Sequence, residues 1–178
     1  MRNSKVKGFT LIELIVVIAI IGVLAAILVP SMLGYVRNAR ISSANANAKQ
    51  VHTAISSALT QLGISNFEFT EGDDPSVTIE ISSDKSSIVC EWDGVEHEPE
   101  DGGMDLISYL GENFSGHGKA YFNTATYSVY AAAWGSTEDA LEAAGDSKED
   151  YVNKSEQAQK SDAKDGNIYG IFPAPKIS

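Results

Sequence analysis

Histidine, cysteine and carboxylate side chains are the residues of this chain that could support catalysis, but their spacing forms no catalytic motif. The histidines, His52, His97 and His117, lie far apart in unlike sequence contexts. No HExxH pair, paired cysteine or serine nucleophile elbow accompanies them. The sequence therefore predicts that the chain is not an enzyme.

Acidic residues around glycine turns are the second candidate chemistry. Residues 98–105 (EPEDGGMD) and 162–167 (DAKDGN) both place oxygen ligands around a tight turn, as Ca²⁺ requires. Neither segment matches the EF-hand spacing, and acidic runs of this kind are more often solvated loops. Calcium is the one cofactor that the sequence suggests, and the absence of any cofactor is the simpler expectation.

Glu13 stands at the start of a long run without charge. Residues 14–36, here called the uncharged run, contain no Asp, Glu, Lys, Arg or His, and residues 14–29 are apolar apart from Gly22. Such a run meets the roughly 20 residues that an α-helix needs to cross a bilayer. A carboxylate beside hydrocarbon is costly, so it indicates a functional site unless it reaches the headgroups. From these residues alone, both interpretations of Glu13 stay open.

A basic leader and a Gly–Phe junction precede this carboxylate in the segment KGFTLIEL, residues 7–14. Together with the apolar run they resemble the class III signal of type IV pilins and type II secretion pseudopilins. The resemblance covers about residues 7–35. It implies that a prepilin peptidase cuts after Gly8 and that the new amino-terminal residue, Phe9, is N-methylated.

The resemblance also gives roles to three residues of the run. Glu13 matches the family's glutamate, while Gly22 and Pro30 match its helix-interrupting pair. After cleavage, the α-amine of Phe9 would be largely cationic at neutral pH, because its reference pKa is about 7.7–8.0. Two desolvated charges tolerate each other only when paired. We therefore expect Glu13 to pair with the amine of a neighbouring subunit and to set the register of assembly.

Charge and leader composition limit the other interpretations. The formal net charge is −11, and removing the three basic side chains of residues 1–8 takes it to −14. So acidic a chain is not expected to bind nucleic acid, which needs Lys and Arg. The basic leader favours a cytoplasmic amino terminus. An ordinary secretory signal has an apolar region of only about 7–15 residues and does not fit the longer run with Glu13 at its start.

Helical spacing resumes after Pro30 and predicts one helix over residues 9–62 with Gly63 as its C-cap. One face of its second half is apolar: Ala44, Ala48, Val51, Ile55, Ala58 and Leu62. From residue 64 onward, short alternating segments predict two hairpins, over 76–92 and 118–134, and a final edge strand over 167–173. Residues 93–103 are predicted to form a long acidic turn, and residues 146–167 a loop or a loose helical segment. Cys90 is the one cysteine, which excludes an intrachain disulfide. Its apolar neighbours predict a buried thiol.

The predicted fold class is α+β and pilin-like, a long amino-terminal helix packed on a small antiparallel β-sheet head. The first half of the helix is predicted to be transmembrane and the second half amphipathic. The predicted division is a leader, a transmembrane and filament-core half-helix, an amphipathic half-helix and a β-rich head, at residues 1–8, 9–36, 37–62 and 63–178.

The resemblance implies a structural subunit of a type IV pilus-like filament, built from copies of this chain with related pilins or pseudopilins. It also implies a prepilin peptidase, a membrane assembly platform with a cytoplasmic ATPase, and lipid around the helix before assembly. The subunit would be a single-pass membrane protein with an exported head, in a cell-surface pilus or a periplasmic pseudopilus. The alternatives are a type II secretion pseudopilin acting as a periplasmic piston, or a minor tip subunit with a ligand-binding head. Aromatic residues between positions 121 and 134 could form a ligand surface, although their alternation favours a sheet core.

Overall fold

The structure, a computed structural model, describes residues 8–64, 76–81, 88–92, 95–97, 109–110, 114–123, 126–145 and 147–173. The chain divides into two compact units, Met1–Val36 and Arg37–Ser178. The α+β class predicted from the sequence is confirmed, with one long helix followed by an antiparallel sheet.

Helix α1 runs from Leu11 to Ile64. It begins two residues later than predicted because Thr10 occupies the capping position, and it continues through Gly63, which is therefore not a C-cap. Pro30 lies inside α1 and removes one backbone donor from the helix. The proposed interruption of the helix at Gly22 and Pro30 stays a prediction.

Within the described residues, six antiparallel strands form one sheet in the order β3-β2-β1-β4-β5-β6. The strands are β1 Ser76–Ile81, β2 Ile88–Trp92, β3 Val95–His97, β4 His117–Asn123, β5 Ser128–Gly135 and β6 Tyr169–Phe172. Three short helices lie between β5 and β6 in the chain: α2 Glu138–Glu142, α3 Lys148–Asn153 and α4 Glu156–Asp162. Both predicted hairpins and the final edge strand are confirmed.

Two segments differ from the sequence-based expectation. Val95–His97 was expected within a long acidic turn, but it pairs with β2, Cys90 opposite His97 and Trp92 opposite Val95. The region from 146 to 167 was expected to be a loop or a loose helical segment, and it contains α3 and α4. Capping explains the second difference, because Ser147 and Asp150 form a capping box and Ser155 accepts from the backbone N–H of Ala158.

The predicted apolar face of α1 is the centre of the core in the second unit. Its side chains from Ala44 to Ala58 are buried against alternate residues of β4 and β5, among them Phe122 and Trp134. The other face of these strands carries a second buried cluster with the short helices: Tyr121, Ala131, Ala133, Leu141, Ala144, Tyr151, Tyr169 and Ile171. The sheet is therefore covered on both faces at β4 and β5, so most of the aromatic residues there belong to the core.

The outer edge of β6 is closed by two amide side chains. Asn45 Oδ1 on α1 accepts from the backbone N–H of Ile171 (3.0 Å) and from Gln159 Nε2 of α4 (2.8 Å). Gln159 Nε2 also donates to the carbonyl oxygen of Tyr169 (2.8 Å). Between these contacts, Gly170 lies so close to α1 that an added Cβ would be 1.9 Å from the carbonyl oxygen of Ala44. An edge strand otherwise exposes unpaired backbone groups, and here side chains satisfy them.

Candidate functional site: the amino-terminal segment

The junction assigned to cleavage lies just before α1. Gly8, Phe9 and Thr10 are outside helix and strand and are solvent-exposed, with Phe9 at 78% of its full accessibility. A peptidase needs an accessible, non-helical backbone around the bond that it cuts, and residues 8–10 provide one. The leader before Gly8 lies outside the described residues.

A capping box joins Thr10 and Glu13 at the start of α1. The backbone N–H and the hydroxyl of Thr10 donate to Glu13 Oε2 at 2.8 and 2.7 Å. In return, the backbone N–H of Glu13 donates to Thr10 Oγ1 at 3.3 Å. This reciprocal pattern satisfies two backbone donors that would otherwise be unpaired at a helix start.

The capping box fixes the direction of the Glu13 carboxylate. Because Oε2 is held by the N–H of the Phe9–Thr10 peptide, the carboxylate is turned back toward the residue that would carry the new α-amine. No hydrogen bond reaches Oε1 from any residue between 8 and 173 that the structure describes. One carboxylate oxygen thus holds the helix start, and the other faces no partner within the described subunit.

Thr10 is the functional residue that the motif-based interpretation missed. The signal was present as Thr10-Leu-Ile-Glu13, the S/T-x-x-E pattern that marks a helix amino terminus. The interpretation gave Glu13 only an intermolecular role, whereas the structure gives the same carboxylate an intramolecular role as well.

In the described structure, the uncharged run is solvent-exposed from residue 14 to residue 33. α1 is the one helix in the described part of the chain that is long and apolar enough to cross a membrane. Large apolar side chains along the run are exposed, for example Ile27 at 69% and Met32 at 66%. So continuous an exposed apolar surface indicates contact with lipid or with other protein.

Gly22 and Pro30 both lie within the exposed part of α1. A Cβ added at Gly22 would meet nothing within 4 Å, so packing inside this subunit does not explain the glycine. Next to Pro30, Ser31 Oγ donates to the carbonyl oxygen of Leu28 (2.8 Å), a local bond that keeps the hydroxyl satisfied on an apolar helix.

In the described part of the two candidate calcium segments, the acidic side chains are not arranged as a set of metal ligands. Residues 98–105 lie outside the described residues. In the second segment, Asp162 Oδ2 accepts from the Tyr169 hydroxyl at 2.5 Å and lies 3.7 Å from Lys154 Nζ. Burial, followed by the hydrogen bond to Asp162, raises the pKa of Tyr169 well above its usual range. Among the described residues, no group of three His, Cys, Asp or Glu side chains is placed to hold a metal.

The other residues considered for chemistry have structural surroundings or lie outside the description. His52 packs edge-on against Phe172, with ring centroids 4.7 Å apart. Burial lowers the pKa of His52, and a hydrogen bond to the backbone of Val129 partly opposes this shift. His97 and Cys90 are on strands β3 and β2. Their side chains lie outside the description, so burial of the thiol stays a prediction.

Comparison with known proteins finds one motif match at the start of the chain and several matches to proteins over part of its length. A sequence model of the prokaryotic N-terminal methylation motif matches residues 3–29. A type IV major fimbrial protein of Dichelobacter nodosus is 47% identical over 57 residues, 32% of this chain and 36% of that protein. A fimbrial protein of Moraxella nonliquefaciens is 54% identical over 50 residues, 28% of this chain and 32% of that protein.

A third relative, the type IV major alpha-pilin of Moraxella bovis, is 38% identical over 82 residues, which are 46% of this chain and 45% of that protein. The chain thus covers less than half the length of each of these relatives. No solved structure matches the chain. The chain therefore carries the prokaryotic N-terminal methylation motif at residues 3–29 and is similar in part to type IV fimbrial proteins and a type IV pilin.

Proposed function

We propose that the chain is a structural subunit of a type IV pilus-like filament that assembles through α1. One observation carries the proposal: an exposed, uncharged helix begins directly after the capped Glu13, inside the matched methylation motif. Contact between this apolar surface and water is unfavourable, so lipid or other protein must cover it. Neighbouring copies of the same helix cover it at little cost when they replace lipid contacts. The relatives named above are fimbrial proteins and a pilin, which favours a pilus over a secretion piston.

Processing at Gly8–Phe9 precedes assembly in this proposal. A prepilin peptidase removes residues 1–8, and methylation follows at the amine of Phe9. The exposed, non-helical backbone at residues 8–10 supports access to this bond. The subunit then waits in the membrane, with its amino terminus on the cytoplasmic side and its head exported. An assembly platform with a cytoplasmic ATPase extracts it into the filament.

Glu13 provides the register of assembly through the α-amine of a neighbouring Phe9. The capping box supports this role because it orients the carboxylate toward the helix start and engages only Oε2. The unengaged Oε1 is then the acceptor for the neighbour's amine. An ion pair between parallel apolar helices is favoured only when both charges are present, so each subunit must supply its amine and its carboxylate.

Two variants separate pairing from capping. Glu13→Gln keeps an acceptor for the Thr10 N–H but removes the charge, so we expect no filaments in cells that lack the wild-type subunit. Thr10→Ala keeps the charge and removes one capping hydroxyl, at a cost of about 1 kcal/mol in helix stability, so filaments should still form. Electron microscopy and immunoblotting of the sheared surface fraction measure both outcomes. Normal filaments from Glu13→Gln would refute the register role.

A further inference from the structure

The charges of α1 are distributed unevenly. After Glu13 the sequence contains no further carboxylate until Glu68, in a chain whose formal net charge is −11. Over the rest of α1 the Lys and Arg residues are Arg37, Arg40 and Lys49. The two arginines are the first charged residues after the uncharged run, which ends at Val36.

These arginines have no partner in the described part of the subunit. Two lysines of the second unit are engaged by carboxylates: Lys154 lies 3.7 Å from Asp162, and Lys160 pairs with Glu156. Neither Arg37 nor Arg40 forms an ion pair or a hydrogen bond with any described residue. Arg40 is exposed and Arg37 half-buried, while the neighbouring Ile41 is buried in the core of the second unit.

Their spacing places the two guanidinium groups on one side of the helix. Residues three apart are neighbours on a helix surface, so Arg37 and Arg40 can approach the same anion or two adjacent anions. A guanidinium group presents several N–H donors in a plane and binds phosphate oxygens in pairs. Arginines at the end of an apolar helix extend their charged ends to the headgroup region.

We propose that Arg37 and Arg40 bind phosphate oxygens of anionic lipid headgroups while the subunit is in the membrane. This inference rests on the membrane-inserted stage of the proposed function. An acidic chain is repelled by an anionic membrane surface, and a pair of arginines next to the uncharged run opposes that repulsion where the chain leaves the bilayer. Lipid phosphate is the occupant favoured here because the pair directly follows the uncharged run in the sequence.

The test uses the full chain in lipid nanodiscs that contain phosphatidylglycerol and phosphatidylcholine. Native mass spectrometry then measures which lipids stay bound when the disc is removed. We expect a preference for phosphatidylglycerol of about fivefold per arginine at low ionic strength, weakening with added salt. The double variant Arg37→Gln/Arg40→Gln should lose this preference. Lys49→Gln, which removes the next exposed cation on α1, should keep most of it.

Other outcomes would overturn the proposal in distinguishable ways. An equal preference in the wild type and the double variant would show that the arginines do not bind lipid. Arginine-dependent binding of inorganic phosphate in detergent without lipid would indicate a soluble phosphate site instead. If the double variant changed only the stability of sheared filaments, a neighbour's carboxylates would be the partner. Flotation with vesicles distinguishes a failure of lipid binding by the arginines from a failure of membrane insertion, because a wild-type chain that does not float with vesicles contradicts membrane insertion itself.

Discussion

Replacing Asn45 by alanine tests the closure of the β6 edge, the contact by which α1 holds the last strand of the sheet. Asn45 Oδ1 accepts two hydrogen bonds, from the backbone N–H of Ile171 and from Gln159 Nε2. Both donors are buried, since Gln159 is 1% exposed and Ile171 0%. In the Asn45→Ala variant, water does not readily replace the lost acceptor.

The magnitude follows from the two N–H groups that lose their acceptor: the backbone N–H of Ile171 and one of the two N–H groups of Gln159 Nε2, whose other bond, to the carbonyl oxygen of Tyr169, remains. Each unsatisfied buried N–H costs about 1–3 kcal/mol, so the two together cost about 2–6 kcal/mol in the free energy of unfolding. Alanine has a higher helix propensity than asparagine, which offsets this loss of stability by about 0.5 kcal/mol. The net loss of about 1.5–5.5 kcal/mol is a large fraction of the roughly 5–15 kcal/mol that stabilises a typical domain.

Asn47→Ala is the matched control. Asn47 lies two residues further along the same helix, is half-buried like Asn45, and forms no hydrogen bond with any described residue. The change of residue type is the same, so the effects of helix propensity cancel, and we expect a change within about 0.5 kcal/mol.

Urea unfolding of the full chain in non-ionic detergent, followed by tryptophan fluorescence, measures both variants. Trp134 is a suitable reporter because it is in the core and its Nε1 donates to the carbonyl oxygen of Ser115 at 2.7 Å. Asn45→Ala should lower the urea midpoint by about 1–3 M, given a slope of about 2 kcal/mol per molar urea. Midpoints for Asn45→Ala and Asn47→Ala that agree within error would refute the role assigned to the β6 edge closure.

Three further predictions concern the second unit. Gly170→Ala should destabilise this unit more than Asn45→Ala does, because the new Cβ would lie 1.9 Å from the carbonyl oxygen of Ala44 and force β6 away from α1. Gly34→Ala is the control in the same urea assay, since a Cβ at Gly34 meets nothing within 4 Å. Burial lowers the pKa of His52 in the folded state, so protonation of this side chain favours unfolding. The free energy of unfolding should therefore fall as pH drops below 6.5, and His52→Gln should make it less dependent on pH in this range. If either acidic glycine turn binds calcium, millimolar calcium raises the melting temperature and magnesium at the same ionic strength does not, whereas an unchanged melting temperature removes the calcium prediction.

Periodicity predicted the elements whose pattern is local. The stripe from Ala44 to Ala58 repeats at helical spacing, and alternation marks β1 as a strand, so the sequence contained both signals. Strand β3 was missed because three residues, Val95–His97, are too few to show an alternation. Helices α3 and α4 have only six and seven residues, about two turns each, and their signal is in the caps at Ser147 and Ser155 rather than in periodicity.

Long-range contacts could not be predicted in the same way. Asn45 lies off the apolar stripe, so helical spacing alone predicts no core contact for it, yet its side chain bonds to Ile171, 126 residues away. Such a contact depends on the final position of β6, which no local pattern specifies. At the candidate site the signal was local: Thr10 and Glu13 are three residues apart and form an S/T-x-x-E pattern, but the sequence interpretation gave Glu13 an intermolecular role and did not predict the capping box.

The most direct test of the proposed function is the amino terminus of the chain recovered from sheared surface filaments. Intact-mass and amino-terminal peptide mass spectrometry should find a chain that begins at Phe9 and carries one methyl group on its α-amine. Recovery from the sheared fraction would support a surface pilus, and recovery only from the membrane or periplasm would favour a secretion pseudopilus. A chain that still begins at Met1, in cells with an active prepilin peptidase, would contradict both processing and assembly through α1.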